Sequence, residues 1–599
     1  MIPPLPFIPL LLAYALYQAI TSALPRLFLV PPLGWQTKIQ KVIDHSKPIY
    51  LKVGLKRSSF RRRLITASTQ PSFYTNFNNN KLKLLPEDSS NVDGKFMNAM
   101  KSRDPEDPSR KVLYGFFHPY ANNGGGGEKV LWQAVEATLL EDDRNIAVIY
   151  TTNIDAKPLE ILAKADLKFN IKSLDSKRIV FIYLRRFSAL IDAAYWKHFT
   201  LVGQLIGSVL LGLEAMYELS PDIWIDTIGL PGSYWLVNLI LKVPIVAYVH
   251  YPIIQPDMFN KLKFNSLGSL KSFKPNLGDL KQAFKFIYWS LMSFVYTYLG
   301  LCVDVTLANG SWTFDHIKNI WSRNSSESLS ILYPPCSTET FAYTEETQER
   351  ENKLLYIAQF RPEKRHLLIV SEFNKFLNSL REAKVPVSSW PKVVFLGSCK
   401  TKDDSHVLDD LREQVKQMEL ADFIEFIVDC SFDEVKSALS RCKFGLNAMW
   451  NEHFGIGVVE YASSGVVPIV HASAGPLLDI LSVNGPSHGW KNDAGFFFKC
   501  ESDPDYLGEK KENMLVFDIN GSPLMFPSLS QLLDRIYIEE PQEIDSTSME
   551  SKRKAALAYV TEKFSNEAFS RQWAQKMGVA STLEAEYRKN KRDKVCKVY

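Results

Sequence analysis

The sequence lacks three features that would point to particular classes of protein. Its 599 residues carry a formal net charge of only +4, spread along the chain, so bulk charge gives no case for a nucleic-acid-binding protein. The seven cysteines form no CxxC pair and no regular framework, which favours a reducing compartment such as the cytosol. No internal repeat or coiled-coil heptad stands out.

Metal-binding patterns are missing as well. Cys399, Cys430 and Cys442 have no histidine partners at metal-ligand spacing, and no cluster of carboxylates suggests a Mg²⁺ site. We therefore expect a protein that uses no metal and no cofactor.

What is present, at the start of the chain, is an apolar segment. Met1 to Pro25 contains no charged side chain and is roughly long enough to span a bilayer. Lysine and arginine then dominate from Arg26 to Arg63, so the positive-inside tendency predicts a single-pass protein with everything after the anchor in the cytosol. A cleaved signal peptide is the alternative, because Ala19 to Ala23 resembles a cleavage site, but signal peptides carry positive charge before the apolar core.

Two later runs, Phe199 to Leu213 and Phe286 to Val303, are also apolar and uncharged. If only the second run crossed a membrane, the two halves of the chain would lie on opposite sides. If both crossed, the segment that holds His250 would be separated from the rest. Helices at the membrane interface and helices buried in the core therefore remain as the two interpretations.

Short apolar runs alternate with helical patterns in two series, separated by a break near Tyr333 to Pro335. The predicted strands are Val112–Phe117, Ile146–Tyr150, Ile179–Tyr183, Ile223–Asp226 and Ile245–Val249, then Leu354–Ala358, Val393–Gly397, Phe423–Val428, Phe444–Asn447 and Val467–Val470. Such alternation implies parallel sheets, and two series predict an α/β protein with two Rossmann-like domains facing a cleft. The predicted divisions are a transmembrane anchor (1–30), a basic juxtamembrane segment and linker (31–109), an N-terminal domain (110–335), a C-terminal domain (336–580) and a basic tail (581–599).

Two candidate site segments lie in the first series. The four glycines Gly124 to Gly127 follow a strand and precede a helix, where backbone can approach a ligand closely, although a plain flexible turn is the alternative. His250 follows the strand that ends at Val249, at the edge where open α/β sheets bind ligands, and a structural role is its alternative.

Two further segments lie in the second series. Arg361 and Lys364 come just after a strand and can neutralise a diphosphate, unless they belong to an ordinary solvated turn. Glu452 and Glu460 flank Gly455 and Gly457 at a predicted helix start, and a helical spacing of eight would bring both carboxylates toward one pocket. This pattern is typical of a sugar-nucleotide site.

These segments together resemble the retaining GT-B glycosyltransferases of the glycogen-synthase-like group. The phrases GFFHPYANNGGGGEKVLW, YVHYP, QFRPEKRH and NEHFGIGVVEYASSG resemble more closely the family of endoplasmic-reticulum α-1,2-mannosyltransferases that extend the dolichol-linked trimannosyl core. One departure is that the wider group commonly has Gly-Arg where this chain has Ala358 and Gln359, so that Arg361 would have to replace the arginine.

The resemblance implies an enzyme at the endoplasmic-reticulum membrane, with cytosolic catalytic domains. It would transfer two mannoses from GDP-mannose to dolichol-diphosphate-linked Man3GlcNAc2, and the partners that the resemblance implies include other mannosyltransferases of the pathway. The roles it implies are Glu460 on the ribose, Glu452 near the donor mannose and its phosphate, Arg361 and Lys364 on the diphosphate, His250 at the mannose, and Phe454, Gly455, Gly457, Gly125 and Gly126 around the donor. Two alternatives stay open, a related membrane-bound glycosyltransferase with another donor or lipid acceptor, and a non-catalytic scaffold.

Overall fold

Buried parallel strands form the centre of each of two units. The computed structural model describes residues 7–20, 24, 49–52, 81–84, 112–175, 178–255, 258–259, 262, 277–324, 328–341, 343, 350–483, 489–503 and 526–592. Unit 1 comprises Met1–Ala308, Thr313–Leu332 and Ser570–Tyr599, and unit 2 comprises Asn309–Trp312 and Tyr333–Phe569.

Unit 1 contains a seven-stranded parallel sheet. Its strands are β3 (Val112–Phe117), β4 (Asn145–Thr151), β5 (Ile179–Tyr183), β6 (Ile223–Asp226), β7 (Ile245–Val249), β8 (Val305–Ala308) and β9 (Leu329–Ile331), after a separate antiparallel pair, β1 (Ile49–Lys52) and β2 (Lys81–Leu84). The spatial order is β5-β4-β3-β6-β7-β8-β9. The order reverses between β3 and β6, so the loops after these two strands diverge at the carboxyl edge and leave a crevice.

The helices of unit 1 account for the two apolar runs in its sequence. They are α1 (Phe7–Gln18), α2 (Gly126–Glu141), α3 (Pro158–Phe169), α4 (Thr200–Glu218), α5 (Leu277–Gly300) and α6 (Ser311–Ile320), of which the first two residues of α6 are assigned to unit 2. Among the described residues, only α4 is both long and apolar enough to cross a membrane. Of its most apolar 18-residue stretch, 39% is buried. Helix α1 covers the middle of the predicted anchor, while most of residues 1–30 and 31–109 lies outside the described residues.

Unit 2 contains a six-stranded parallel sheet. Its strands are β10 (Glu351–Ile357), β11 (Lys392–Gly397), β12 (Ile424–Val428), β13 (Cys442–Asn447), β14 (Val467–His471) and β15 (Phe496–Phe498). The order β12-β11-β10-β13-β14-β15 is the 3-2-1-4-5-6 order of the Rossmann fold, with the switch between β10 and β13. The ten strands predicted from apolar runs are confirmed, whereas β1, β2, β8, β9 and β15, of three or four residues each, were not predicted.

Side chains cap the N-terminal N–H groups of four helices in unit 2. The helices of this unit are α7 (His366–Glu382), α8 (Lys402–Gln417), α9 (Phe432–Arg441), α10 (Ile456–Ser463), α11 (Leu529–Asp534) and α12 (Ser546–Phe564). Thr401, Ser431, Ser528 and Asp545 each accept a backbone N–H of the helix that follows. Phe395, Phe444 and Phe496 from the sheet are fully buried under this layer.

The last long helix, α13 (Asn566–Tyr587), returns the chain to unit 1 at Ser570. Trp573 is fully buried, stacks on Phe116 at 6.2 Å between ring centroids and donates its Nε1–H to Thr138 at 2.9 Å. The hydroxyls of Tyr114 and Ser581 lie 2.8 Å apart. The second domain therefore ends earlier than the expected residue 580, because the apolar face of α13 completes the core of unit 1.

Candidate functional site

The switch point of unit 2 brings two of the predicted residues into contact. After β10 the chain makes a 3₁₀ turn, Pro362–Lys364, and the Tyr356 hydroxyl donates to the Lys364 carbonyl at 2.5 Å. The Lys364 Nζ lies 2.8 Å from Glu452 Oε2 and 3.0 Å from Met449 Sδ. The side chains of Lys364 and Glu452 are 24% and 20% exposed, so this ion pair borders solvent. The loops after β10 and β13 diverge at this switch point and leave a crevice in unit 2, and a ligand that enters this crevice can therefore reach both charges.

Arg361 points to a different partner. Its Nε lies 3.5 Å from Asp404 Oδ1, in the first turn of α8, and its side chain is 41% exposed. The structure thus brings Lys364 to Glu452 but holds Arg361 in a separate ion pair.

Glu452 does not belong to the helix that carries Glu460, which corrects the helical-spacing argument. Helix α10 begins only at Ile456, because Gly455 just before it has a φ of +106°, which is not helical. A left-handed φ of this kind favours glycine, which has no Cβ. Glu452 therefore lies in the loop after β13, and half-buried Glu460 lies in the second turn of α10.

The start of α10 is built for close approach of a ligand. Phe454 is buried beneath it, and a Cβ placed on Gly457 would meet nothing within 4 Å. Gly475 must be glycine here, because a Cβ would lie 2.2 Å from the Phe454 carbonyl oxygen. Its N–H donates to the Glu452 carbonyl at 3.0 Å, which ties the site loop to the segment after β14. Open backbone at a helix N-terminus suits an anion.

A buried polar network behind this loop was not predicted from the sequence. The carboxylate of Asp503 accepts from Arg365 Nη1 at 2.6 Å and from His471 Nε2 at 2.8 Å. The Nδ1 of His471 lies 2.8 Å from the Ser473 hydroxyl, and Ser473 Oγ accepts the Asn451 N–H at 2.9 Å. The network therefore connects the residue after Lys364 with the residue before Glu452. Only the position of His471 at the end of an apolar strand could have signalled it.

The electrostatics of this network keep it ionic. Burial raises the pKa of Asp503, but the hydrogen bonds from His471, Arg365 and the Cys500 N–H outweigh burial and lower that pKa to about 2. Burial also lowers the pKa of His471, which stays neutral and donates from Nε2. The aspartate is thus an anion near neutral pH and orients its two donors.

Unit 1 has its own cluster at the switch between β3 and β6. The Gly125 N–H, just before α2, donates to Glu128 Oε2 at 2.5 Å, and His118 Nε2 lies 3.4 Å from Glu128 Oε1. Burial raises the pKa of Glu128, but its hydrogen bonds to His118 and Gly125 outweigh this and lower it. The ionised carboxylate therefore fixes Gly125 at the start of α2, next to Gly126.

His250 joins the same cluster from the end of β7. Its Nε2 donates to the Thr227 carbonyl at 3.0 Å, and Thr227 Oγ1 lies 2.8 Å from His118 Nδ1. Desolvation lowers the pKa of His250 to about 4, so the ring is neutral near pH 7. Because Nε2 carries the proton, Nδ1 is an acceptor for a ligand hydroxyl.

A pocket of about 470 Å³ opens beside this cluster within unit 1. Gly127, Glu128 and His250 line one part of it, and the remainder is mainly apolar. Its apolar lining comes largely from α4 and α5, represented by Leu201, Leu205, Met292, Val295 and Leu299.

No group of three or more His, Cys, Asp or Glu side chains in the described part of the chain could hold a metal ion. The expectation that the protein uses no metal therefore stays a prediction.

Comparison with known proteins decides the family. The family described as "ALG11 mannosyltransferase N-terminus" matches residues 111–321, and "Glycosyl transferases group 1" matches residues 338–515. A protein of Debaryomyces hansenii named GDP-Man:Man(3)GlcNAc(2)-PP-Dol alpha-1,2-mannosyltransferase is 54% identical over 98% of both chains. The chain belongs to the ALG11 mannosyltransferase family. A Candida albicans protein of the same name is also 54% identical, over 98% of this chain and 99% of its own.

Membership of the ALG11 family confirms that the chain is a glycosyltransferase. The OtsA apo structure shares 9% identity, covers 78% of this chain and 99% of its own, and superposes with a TM-score of 0.51. This likeness and the two parallel sheets confirm the predicted GT-B α/β fold class.

Proposed function

We propose that the protein transfers mannose from GDP-mannose in α-1,2 linkage to dolichol-diphosphate-linked Man3GlcNAc2. Two additions would give Man5GlcNAc2 at the cytosolic face of the endoplasmic reticulum. The observation that carries the proposal is the Lys364–Glu452 pair at the switch point of a Rossmann-ordered sheet, in a chain 54% identical to relatives that bear this activity in their name.

The donor side is assigned to unit 2. Lys364 would exchange part of its contact with Glu452 for the donor diphosphate, and Glu452 would meet the mannose and its phosphate. Glu460 would accept hydrogen bonds from the ribose hydroxyls. The backbone at Gly455 and Gly457, above buried Phe454, would lie along the nucleotide; this assignment is supported by the free space over Gly457.

Arg361 has a reduced role in this proposal. It would have to leave Asp404 to reach a diphosphate, whereas Lys364 already borders the crevice. We assign the main neutralisation of the leaving group to Lys364 and a secondary one to Arg361.

The assignments in unit 1 follow from its own cluster. Gly125 and Gly126 would close on bound sugar, held by the Glu128 carboxylate. Neutral His250 would accept a hydrogen bond from a sugar hydroxyl at Nδ1, because its Nε2–H already donates to the Thr227 carbonyl. These contacts would position a sugar. The proton would pass between the acceptor hydroxyl and the diphosphate, without a protein side chain.

The proposed reaction retains the α configuration and needs no protein nucleophile. The bond between the mannose C1 and the diphosphate oxygen breaks, and the acceptor 2-hydroxyl oxygen forms a new bond to C1 from the same face. The hydroxyl proton passes to an oxygen of the departing diphosphate. Lys364 stabilises the negative charge that develops there. Such stabilisation lowers the activation free energy strongly when the charged side chain is already in position before the reaction.

A transfer assay tests the proposal directly. Full-length protein in detergent is given a synthetic lipid diphosphate that carries the trimannosyl core, with GDP-mannose and UDP-sugars in separate reactions, with and without EDTA. Two added hexoses from GDP-mannose, removable by an α-1,2-mannosidase and unaffected by EDTA, are expected. Transfer only from a UDP-sugar would assign another donor, and no transfer by folded protein would favour a scaffold.

A further inference from the structure

Helix α5 carries an apolar stripe that is exposed in the described part of unit 1. Large side chains recur at spacings of three and four residues along one face, and they are 39–65% exposed. We call them the α5 outer stripe: Leu280, Phe284, Ile287, Leu291, Phe294, Tyr298 and, just past the helix, Leu301. From Leu280 to Tyr298 the stripe is about 27 Å long.

The opposite face of α5 is already occupied. Met292, Tyr296 and Leu299 are buried there, and all three line the pocket beside His250. A helix that is apolar on both faces is stable only when its outer face also contacts apolar material, either protein or lipid. Exposed apolar patches of this extent mark protein or membrane contact sites.

Contacts from Tyr288 to Gly300 hold the second half of α5 against the rest of unit 1. The Val202 N–H donates to the Tyr288 hydroxyl at 3.2 Å, and the Tyr296 and Trp321 rings lie 5.3 Å apart. A Cβ on Gly300 would lie 2.4 Å from the Trp321 ring, which shows how closely the helix end packs. The stripe can therefore lie in a membrane surface but not span the membrane.

Charge distinguishes a membrane from a second copy of the chain. Exposed Lys281 and Lys285 lie beside the start of the stripe, and the Arg323 guanidinium lies 5.0 Å from the Tyr298 ring at its end. The segment from Leu280 to Val303 contains no acidic residue. Two copies packed stripe to stripe would bring cations against cations, whereas lipid headgroups offer phosphates beside the acyl region.

We propose that the α5 outer stripe lies in the interfacial region of an anionic phospholipid bilayer, with its aromatic and aliphatic side chains below the headgroups. This second membrane contact would hold unit 1, including the pocket under α5, at the lipid surface. The inference rests on the proposed membrane location, but it does not require that transfer occur.

Photo-crosslinking of the full-length protein tests the stripe. A benzophenone amino acid replaces Leu291 or Phe294 in protein reconstituted into phosphatidylcholine vesicles that contain phosphatidylinositol. Leu159, which is 62% exposed on α3, is the matched control. At the stripe positions we expect at least about fivefold more lipid adduct than at Leu159. Equal lipid adduct at all three positions would overturn the proposal, and a covalent dimer would assign the stripe to a second copy.

A kinetic measurement separates lipid contact from folding. The double change Leu291→Glu with Phe294→Glu should raise the KM for lipid-linked acceptor in vesicles about tenfold. The kcat in detergent solution should stay the same, since neither residue contacts the clusters described above. An unchanged KM in vesicles would contradict the proposal, whereas inactivity of the unaltered protein with normal lipid adducts would reject only the proposed reaction.

Discussion

Replacement of Lys364 by methionine should lower turnover far more than it lowers stability. Methionine keeps most of the length of the side chain but removes the charge that lies 2.8 Å from Glu452. At about 3 Å and an effective dielectric constant of about 20, a lysine and a full phosphate charge attract by about 5 kcal/mol. Lost hydration cancels part of this, and deletion of one group that stabilises a developing charge typically lowers kcat by about 10²–10³.

The effect on folding should be small, because the ion pair borders solvent. Pairs of this kind contribute about 0–1 kcal/mol to the free energy of unfolding. For a unit of this size, that change lowers the melting temperature by less than about 4 °C. The separation of the two effects is what identifies Lys364 as a residue that contacts the reacting groups.

The assay compares kcat and KM for GDP-mannose with the melting temperature of the same preparation. Lys375→Met is the matched control, since Lys375 pairs with Glu372 at 2.7 Å on α7 and its side chain is 64% exposed. We expect the control to keep its kcat. The reasoning is refuted if Lys364→Met raises only KM, or if the two methionine variants lose the same activity.

Three other changes test the remaining assignments. Glu460→Ala should weaken GDP-mannose binding by about 1–3 kcal/mol, measured by calorimetry, with little change in melting temperature; unchanged affinity would remove Glu460 from the donor site. Glu128→Ala should destabilise the protein by about 1–3 kcal/mol in thermal melts, because the Gly125 N–H loses its acceptor, and Glu128→Gln should recover most of this. Because the folded pKa of Asp503 is lowered to about 2, its stabilisation is complete above about pH 4 and is lost between pH 4 and 2, by about 2 kcal/mol. Asp503→Asn should flatten the stability curve in that window, and an unchanged curve would show that His471 and Arg365 do not depend on the charge.

Local patterns in the sequence predicted ten of the strands, and its proposed site segments stay predictions. Val112–Phe117 and Ile245–Val249 were bounded correctly, because buried parallel strands are continuous apolar runs with turn residues at each end. The short strands β9 and β15 carry too few residues for such a pattern. The motif around Gly455 also indicated a ligand site, since its glycines restrict the possible backbone to a few conformations.

Sequence alone therefore determined the fold class and the family and proposed the segments for the site, because each of these depends on residues that are neighbours in the chain. The tertiary structure decided which of these side chains meet. Lys364 and Glu452 are 88 residues apart, and Arg365 and Asp503 are 138 apart, yet the sheet order brings each pair into contact. The tertiary structure also pairs Arg361 with Asp404. It buries one face of α5 and leaves the α5 outer stripe exposed. Such choices depend on the packing of distant elements, which no local pattern encodes.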